Sequence, residues 1–187
     1  MPKPESDRTK PYTYADYVTW DDSNRWELID GIPYLLASPT AEHQEIIMQL
    51  SIAIGRYVRE NGCRAYSAPM DLVFEEHDQT ATVVQPDLFV MCGSYGRDQR
   101  IVGVPVLVIE VLSPSTASHD FVRKMNLYKQ TGVKEYWIVD PAIKSVYVYE
   151  HDGNDLRWRS EHQTGNISPT MFPDLAIELQ LLFSEMR

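Results

Sequence analysis

Apolar residues recur at intervals of three and four between residues 46 and 58, which places them on one face of a helix. These apolar residues are Ile46, Ile47, Leu50, Ile54, Tyr57 and Val58. Ser38-Pro39-Thr40 precedes the stripe as a helix start, and Asn61-Gly62 follows it as a helix end. The pattern predicts one long amphipathic helix with a buried face.

From Cys63 to Leu112 the apolar spacing becomes that of strands. Pro105 to Val111 is apolar at nearly every position, which is typical of a central strand covered on both faces. A second helix is predicted from about Ser118 to Gln130, and Tyr136–Asp140 has the pattern of another buried strand. Strand, helix and strand between residues 104 and 140 fit one right-handed βαβ crossover.

Further strands and hairpins surround this crossover. The strands expected between residues 63 and 112 are 64–66, 70–75, 82–84, 88–91 and 104–112. One hairpin is predicted over residues 26–36, joined at Asp30-Gly31, and another over residues 144–162, joined around Asp152-Gly153-Asn154. The pattern predicts an α/β (α+β) fold in which a mixed central β-sheet is flanked by helices, rather than a pure doubly wound fold.

The length of 187 residues is that of a single domain. Residues 1–11 carry three prolines and several charges, and are expected to form a flexible lead-in to one domain over residues 12–187. Thr13 is expected to cap a short helix that runs to about residue 20. The longest apolar stretch, Val102–Leu112, is interrupted by a proline and an acid, so no membrane span is expected.

Cysteine content and charge narrow the class of protein. Cys63 and Cys92 fit neither a disulfide framework nor a zinc-site spacing, so we expect reduced thiols in a cytoplasmic protein. The first seven residues contain no apolar run, so no signal peptide is expected. The net charge of -10 argues against loose, charge-driven binding to nucleic acid, although a local basic groove remains compatible with it.

Two acids lie in apolar, strand-forming sequence. Asp87 precedes one predicted strand, and Glu110 is the only polar side chain between Val102 and Leu112. A carboxylate in such surroundings is costly unless it is paired, bound to a metal or protonated. Lys124 lies beside the apolar face of the following helix, from which it can point toward Glu110. The purely structural alternatives are a turn-capping Asp87 and a salt bridge between Glu110 and Lys124.

Together these three residues suggest metal-assisted hydrolysis. Mg²⁺ usually takes one or two carboxylates, with water and substrate phosphate as its other ligands. Asp87 and Glu110 supply the carboxylates, and the backbone carbonyl of Val111 is a further candidate ligand, so the expected cofactor is Mg²⁺ or Mn²⁺. The ammonium of Lys124 would hold the attacking water or stabilise charge on phosphorus.

The same residues belong to a longer series of motifs. The series consists of Glu27-Leu28-Ile29-Asp30-Gly31, His43, Pro86-Asp87, residues 105–116, Lys124 with Tyr128, and residues 132–140. Over roughly residues 12–183 the chain resembles the Uma2 family, also called DUF820. The resemblance implies an endonuclease of the PD-(D/E)XK, restriction-endonuclease-like fold, with Asp87 and Glu110 as metal ligands.

One position departs from the general nuclease pattern. Leu112 stands where a lysine is expected two residues after the second acid, and Lys124 is the residue that matches the relocated lysine of the family. Glu27 and His43 match family positions too, Glu27 as an acid approaching the metal and His43 as a contact for phosphate or water. Their structural alternatives are a strand-edge acid and a residue bonded locally at a helix start. Glu45 is a further helix acid that can serve the site.

Two functions follow from these observations. The first is a Mg²⁺-dependent endonuclease that hydrolyses DNA phosphodiester bonds, with Asp87, Glu110, Lys124, Glu27 and His43 as its site residues. The alternative is a catalytically idle nuclease-fold module that acts as a DNA- or protein-binding dimer. A homodimer is expected in either case, by analogy with nucleases that present two sites to a duplex.

Overall fold

The computed structural model describes residue 4 and residues 10–21, 23–75, 81–113 and 117–184, without the side chains of residues 117–121. Its elements in chain order are α1 (Tyr14–Tyr17), β1 (Trp26–Ile29), β2 (Ile32–Leu35), α2 (Ala41–Glu60), β3 (Arg64–Ser67), β4 (Leu72–Val73), β5 (Leu88–Met91), β6 (Gly96–Arg97), β7 (Ile101–Val102), β8 (Leu107–Val111), α3 (Ala117–Thr131), β9 (Glu135–Asp140), β10 (Ser145–His151), β11 (Leu156–His162), β12 (Asn166–Ile167), β13 (Ile177–Glu178) and α4 (Leu179–Leu182). The predicted lead-in falls mainly on residues 1–3 and 5–9, which lie outside the described residues, and the single-domain boundary stays a prediction.

A six-stranded mixed sheet, in the order β11-β10-β9-β8-β5-β3, forms the centre of the molecule. β8 runs parallel to β9, and α3 connects them, as the predicted βαβ unit requires. All other neighbours in this sheet are antiparallel. The predicted mixed sheet flanked by helices is therefore confirmed.

The two faces of β8 pack against different helices. Ile109 and its neighbours two residues away belong to the same buried cluster as Leu50 and Ile54 of α2. Val108 belongs to a second cluster, which includes Tyr128 of α3. Because side chains alternate along a strand, Glu110 shares the α3 face with Val108.

The long helix α2 follows its predicted stripe. Thr40 caps its N-terminus by accepting a hydrogen bond from the backbone of His43 at 3.2 Å. The apolar residues of the stripe are buried except Tyr57, which is half-buried. The cap places His43 in the first turn of the helix, where its side chain is itself buried.

Several strands are shorter than predicted. The segment expected over residues 70–75 contains only β4, and residues 82–84 form isolated bridges at Val83 and Val84. β8 begins at Leu107, two residues after Pro105, which has no N–H to donate to a ladder. The short elements β6, β7, β12, β13 and α4 have too few residues to show a period and were not predicted.

The expectation of reduced cysteines is wrong. Cys63 and Cys92 form a disulfide with their Cα atoms 4.4 Å apart. Cys63 immediately precedes β3 and Cys92 immediately follows β5, and Arg64 pairs with Met91 in the antiparallel register. One further step along that register brings the two thiols face to face. Localisation in the cytoplasm remains a prediction, and it no longer has reduced thiols to support it.

No helix in the described ranges is long and apolar enough to cross a membrane.

The β1–β2 hairpin closes on the predicted dipeptide. Asp30 and Gly31 both have positive φ, at 52° and 75°, as a two-residue type I′ turn requires. Backbone hydrogen bonds of 2.8 and 2.6 Å between Leu28 and Val83 hold the hairpin against the rest of the domain. This attachment carries Glu27 into the interior.

We expect Gly31→Ala to lower the free energy of unfolding by about 2 kcal/mol or more. The new Cβ atom would meet the Cβ of Pro11 at 2.3 Å, in addition to the backbone strain at positive φ. Gly62→Ala is the matched control, because Gly62 has φ +77° with open space around it and should lose only about 1 kcal/mol. Urea unfolding measures both variants, and equal losses would contradict the clash at Gly31.

Candidate functional site

Two carboxylates face each other across neighbouring strands. In the antiparallel pair of β5 and β8, Leu88 lies opposite Ile109, so one further step brings Asp87 opposite Glu110. Like charges in directly opposed positions of a sheet repel each other. The sheet register therefore builds a place where a cation is favoured.

Lys124 supplies one positive charge at this place. Its Nζ atom lies 3.0 Å from Oε1 of Glu110 and 3.1 Å from Oε1 of Glu27. The side chain is 7% exposed, so both ion pairs lie in a medium that screens them little. The predicted approach of Lys124 to Glu110 is thus observed, and Glu27 joins the same group.

Glu110 accepts a second hydrogen bond, from the hydroxyl of Tyr128 to Oε1 at 2.7 Å. Burial raises the pKa of Glu110 to about 8. Lys124 opposes this shift, whereas the negative charges of Asp87 and Glu27 add to it. The surroundings of Glu110 therefore disfavour its negative charge unless a cation offsets it.

Asp87 is fixed by two donors. Its Oδ2 atom accepts a hydrogen bond from the backbone N–H of Val111 at 2.8 Å and lies 3.0 Å from Nε2 of His43. Burial acts to lower the pKa of His43, but the hydrogen bond and the charge of Asp87 outweigh it and raise that pKa. His43 thereby ties the N-terminal turn of α2 to the sheet at the site.

Glu27 has no exposed surface. Its Oε1 atom accepts a hydrogen bond from the backbone N–H of Gln85 at 2.8 Å, besides the ion pair with Lys124. None of the described residues forms a hydrogen bond with its buried Oε2 atom, an arrangement that costs free energy in a carboxylate. The Glu27 carboxylate is therefore more than a surface acid at a strand edge.

An open cavity of about 250 Å³ gives access to these groups. Its lining includes Asp87, Glu110, Lys124, His43 and the cationic side chain of Arg25. Glu45, the further acid considered from the sequence, lines a separate groove together with Glu42 and Gln49. The structure thus brings together five of the predicted side chains and leaves Glu45 apart. The five are the four predicted residues that line the cavity and Glu27, which contacts Lys124 from the interior.

The donor set fits a hard divalent cation. Asp87 and Glu110 are hard oxygen ligands on adjacent strands, and Mg²⁺ commonly takes only one or two protein carboxylates. Burial is the main cause of the raised pKa of Glu110, and the neighbouring charges of Asp87 and Glu27 add to it, so a cation at this place would lower it. Within the described residues no group of three or more His, Cys, Asp or Glu side chains is arranged to hold a metal, so the protein offers two carboxylates rather than a full cage.

Three residues of the site were not assigned to it from the sequence. Gln85 binds Glu27 through its backbone, Arg25 lines the cavity and holds Gln85, and Tyr128 donates to Glu110. A signal existed for Tyr128, because it lies four residues after Lys124 and so on the same side of α3. Arg25 and Gln85 meet only through the pairing of distant segments.

The pKa of Glu110 predicts how the stability of the metal-free protein depends on pH. The folded-state pKa lies above the unfolded value, so the folded protein binds more protons between about pH 4.5 and 8. The free energy of unfolding should fall by more than about 1 kcal/mol as pH rises from 5 to 8 through this group. Glu110→Gln cannot titrate and should show a flatter profile.

Urea unfolding in EDTA at several pH values measures this effect. Glu60→Gln is the control, because Glu60 is exposed at the end of α2 and pairs with the exposed Arg56 at 3.2 Å. Glu60→Gln should keep the slope of the wild type. An equally steep slope in Glu110→Gln would assign the pH dependence to other groups.

Comparisons with known proteins extend the geometric picture. The model of the family Uma2, described as "Putative restriction endonuclease", matches residues 14–181. Two uncharacterized proteins of Synechocystis sp. (strain ATCC 27184 / PCC 6803 / Kazusa) are each 26% identical to this chain. The first, slr1290, aligns over 147 residues, 76% of this chain and 75% of its own length. The second, sll1609, aligns over 156 residues, 80% and 86% respectively.

A solved structure has the same fold. It is a crystal structure of a "putative nuclease belonging to DUF820" from Anabaena variabilis ATCC 29413, with a TM-score of 0.73 and 18% identity. The match covers 92% of this chain and 98% of that one. The likeness confirms the nuclease-type fold expected from the sequence.

Proposed function

This chain belongs to the Uma2 family, and from that premise we propose that it is a divalent-metal-dependent endonuclease that hydrolyses DNA phosphodiester bonds. The observation that carries the proposal is the opposed pair of carboxylates, Asp87 and Glu110, with the buried ammonium of Lys124 beside them. A purely structural ion pair would need only one acid for one lysine. Here Lys124 contacts two acids, Asp87 adds a third carboxylate that acts on Glu110, and the site opens into a cavity.

Asp87 and Glu110 are the proposed metal ligands, with the backbone carbonyl of Val111 as a third. The ion is Mg²⁺ or Mn²⁺, since all three ligands are oxygen atoms. When bound, such an ion polarises a phosphoryl oxygen and lowers the pKa of a coordinated water.

The other side chains orient and stabilise the reacting groups. Lys124 holds the attacking water or stabilises the charge that develops on phosphorus. Glu27 fixes the ammonium of Lys124 through its 3.1 Å contact, and His43 holds Asp87 in place. Arg25 supplies a second cation to the cavity, where it favours entry of a phosphate despite the net charge of -10.

Metal titration and plasmid nicking on the same wild-type sample test the proposal. Isothermal titration should detect binding of Mg²⁺ or Mn²⁺, and a supercoiled plasmid should be nicked only when the ion is present. EDTA should abolish nicking. Wild-type protein that binds neither ion and leaves the plasmid intact would overturn the proposal.

One observation favours a second candidate function, a catalytically idle module that binds DNA or protein as a dimer. Lys124 already contacts two carboxylates, which neutralise the charge that catalysis would use. The homodimer is a prediction in both cases, and sedimentation at micromolar concentration tests it. Nucleic-acid binding that does not change with Mg²⁺, in a sample without nicking activity, would favour this alternative.

A further inference from the structure

The cavity of about 250 Å³ that Asp87, Glu110 and Lys124 line is called the catalytic cavity below. A second cavity, of about 380 Å³, lies beside it. Its volume is within the range of small-molecule sites, roughly 300–1,000 Å³. Arg25 and Gln85 line both cavities and therefore form their common boundary. A molecule that occupies one cavity is thus close to a molecule in the other.

Four aromatic side chains line the second cavity, and we call them the aromatic wall: Tyr14, Tyr17, Trp20 and Trp26. The wall joins α1, the segment after it and β1. Consecutive rings contact one another, with centroid distances of 6.1 Å for Tyr14–Tyr17, 5.2 Å for Tyr17–Trp20 and 6.0 Å for Trp20–Trp26. All four side chains are half-buried, so each keeps part of its surface accessible, although the guanidinium of Arg100 already lies 4.2 Å from the centroid of the Tyr14 ring.

A polar network of fixed orientation lines the other side. Gln85 accepts two hydrogen bonds from Arg25, at 3.0 and 2.8 Å, and donates one to Asp71 at 2.9 Å. The hydroxyl of Tyr17 also donates to Asp71, at 2.9 Å. The backbone N–H of Gln85 donates to Glu27, which pairs with Lys124, so the network is joined directly to the proposed catalytic residues.

This combination selects a nucleobase rather than a phosphate. The carboxylate of Asp71 repels a phosphate. The amide of Gln85 is already bonded to Arg25, Asp71 and Tyr17, so the carboxylate of Asp71 is the group that can accept a hydrogen bond from the amino group on the edge of a base. Aromatic rings offer stacking surfaces to every base. A base inside a duplex is stacked on both sides, so only an unpaired or extruded base can enter.

We propose that the cavity bounded by the aromatic wall binds one unstacked nucleobase of the strand whose phosphate occupies the catalytic cavity. This inference rests on the proposed nuclease function for the identity of the ligand. It assigns the substrate class as single-stranded or locally opened nucleic acid.

Binding in EDTA tests the inference without cleavage. The probes are a fluorescein-labelled oligodeoxycytidylate of eight residues, an abasic strand of the same length and charge, and a duplex containing the first strand. Fluorescence anisotropy should show the intact strand binding at least about fivefold more tightly than the abasic strand. The duplex should also bind more weakly than the intact single strand.

Variants of the aromatic wall test whether the difference in affinity between the intact and abasic strands arises there. Tyr14→Ala and Trp26→Ala, made singly, should reduce the difference between the intact and abasic strands, as in a double-mutant cycle. Tyr14→Phe keeps the ring and should keep the difference. Trp158→Ala is the matched control, because Trp158 is an aromatic side chain 61% exposed on β11 and outside the cavity. If Tyr14→Ala does not fold, Tyr14→Leu keeps most of the volume without the ring.

The possible outcomes separate this inference from the proposed function. Equal wild-type affinity for intact and abasic strands, binding to neither, or a difference that survives both alanine variants would overturn the base site. Metal-dependent nicking accompanied by one of these results would leave the nuclease proposal intact. Base-dependent binding by a protein that never nicks would support the site and contradict the nuclease.

Discussion

Glu110→Gln is expected to weaken Mg²⁺ binding by more than about 100-fold and to reduce plasmid nicking by roughly 10³-fold or more. Glutamine has nearly the shape of glutamate, and its carbonyl can still accept the hydrogen bond from Tyr128. The substitution therefore removes the negative charge of the ligand, and with it the ion pair to Lys124, while the shape of the side chain is kept. Asp87 alone would be left as the carboxylate facing the ion, and isothermal titration with a nicking assay measures both losses.

Glu135→Gln provides the matched control. Glu135 is also a buried glutamate, 3% exposed, and burial raises its pKa as it does for Glu110. Its two oxygens are satisfied by Trp137 at 2.6 Å and by the backbone of Thr170 at 2.7 Å, away from the cavity. This variant can lose stability but should bind Mg²⁺ as the wild type does. Undiminished nicking by Glu110→Gln would remove Glu110 from the catalytic site.

Local patterns in the sequence were sufficient to predict much of the fold. The apolar residues of α2 recur at intervals of three and four, which identifies a helix without any information on its neighbours. The Asp30-Gly31 dipeptide predicts the hairpin turn, because both residues tolerate positive φ. The crossover from β8 through α3 to β9 follows from the order of two apolar strands and one helix. Each of these features is determined by residues close together in the chain.

Features that depend on register were not predicted in this way. Cys63 and Cys92 are 29 residues apart, and only the pairing of β3 with β5 brings them together. The bond between Glu27 and Gln85 spans 58 residues and depends on where the first hairpin docks. Periodicity does not determine register between distant strands, so a single sequence carries little information about such contacts.

The candidate site was only partly accessible from the sequence for the same reason. Glu110 and Lys124 are 14 residues apart within one crossover, so their ion pair could be anticipated. The aromatic residues near the N-terminus carried no signal for a cavity, because half-buried aromatics are common in any core. Gln85 connects them to the candidate site by donating hydrogen bonds to Tyr17 and to Glu27, and it lies far from both in the chain.

Lys124→Met is expected to reduce nicking by about 10²- to 10³-fold while Mg²⁺ binding is retained or strengthened. Methionine keeps much of the apolar stem of lysine but removes the ammonium that lies between Glu27 and Glu110. Loss of one partner from a buried ion pair costs about 3–5 kcal/mol, because the remaining charge stays buried. A divalent cation can compensate part of that charge, so Mg²⁺ should raise the melting temperature of Lys124→Met more than that of the wild type.

Lys129→Met separates this effect from a general change in helix charge. Lys129 lies on the same helix, is 44% exposed and pairs with Asp155 at 3.1 Å, outside the catalytic cavity. The Lys129→Met variant should nick the plasmid as the wild type does, and Mg²⁺ should raise its melting temperature by the same amount as that of the wild type. Loss of nicking together with loss of Mg²⁺ binding in Lys124→Met would make Lys124 a structural support for the carboxylates. Loss of nicking alone assigns Lys124 to the chemical step, since the carboxylates would then still bind the ion.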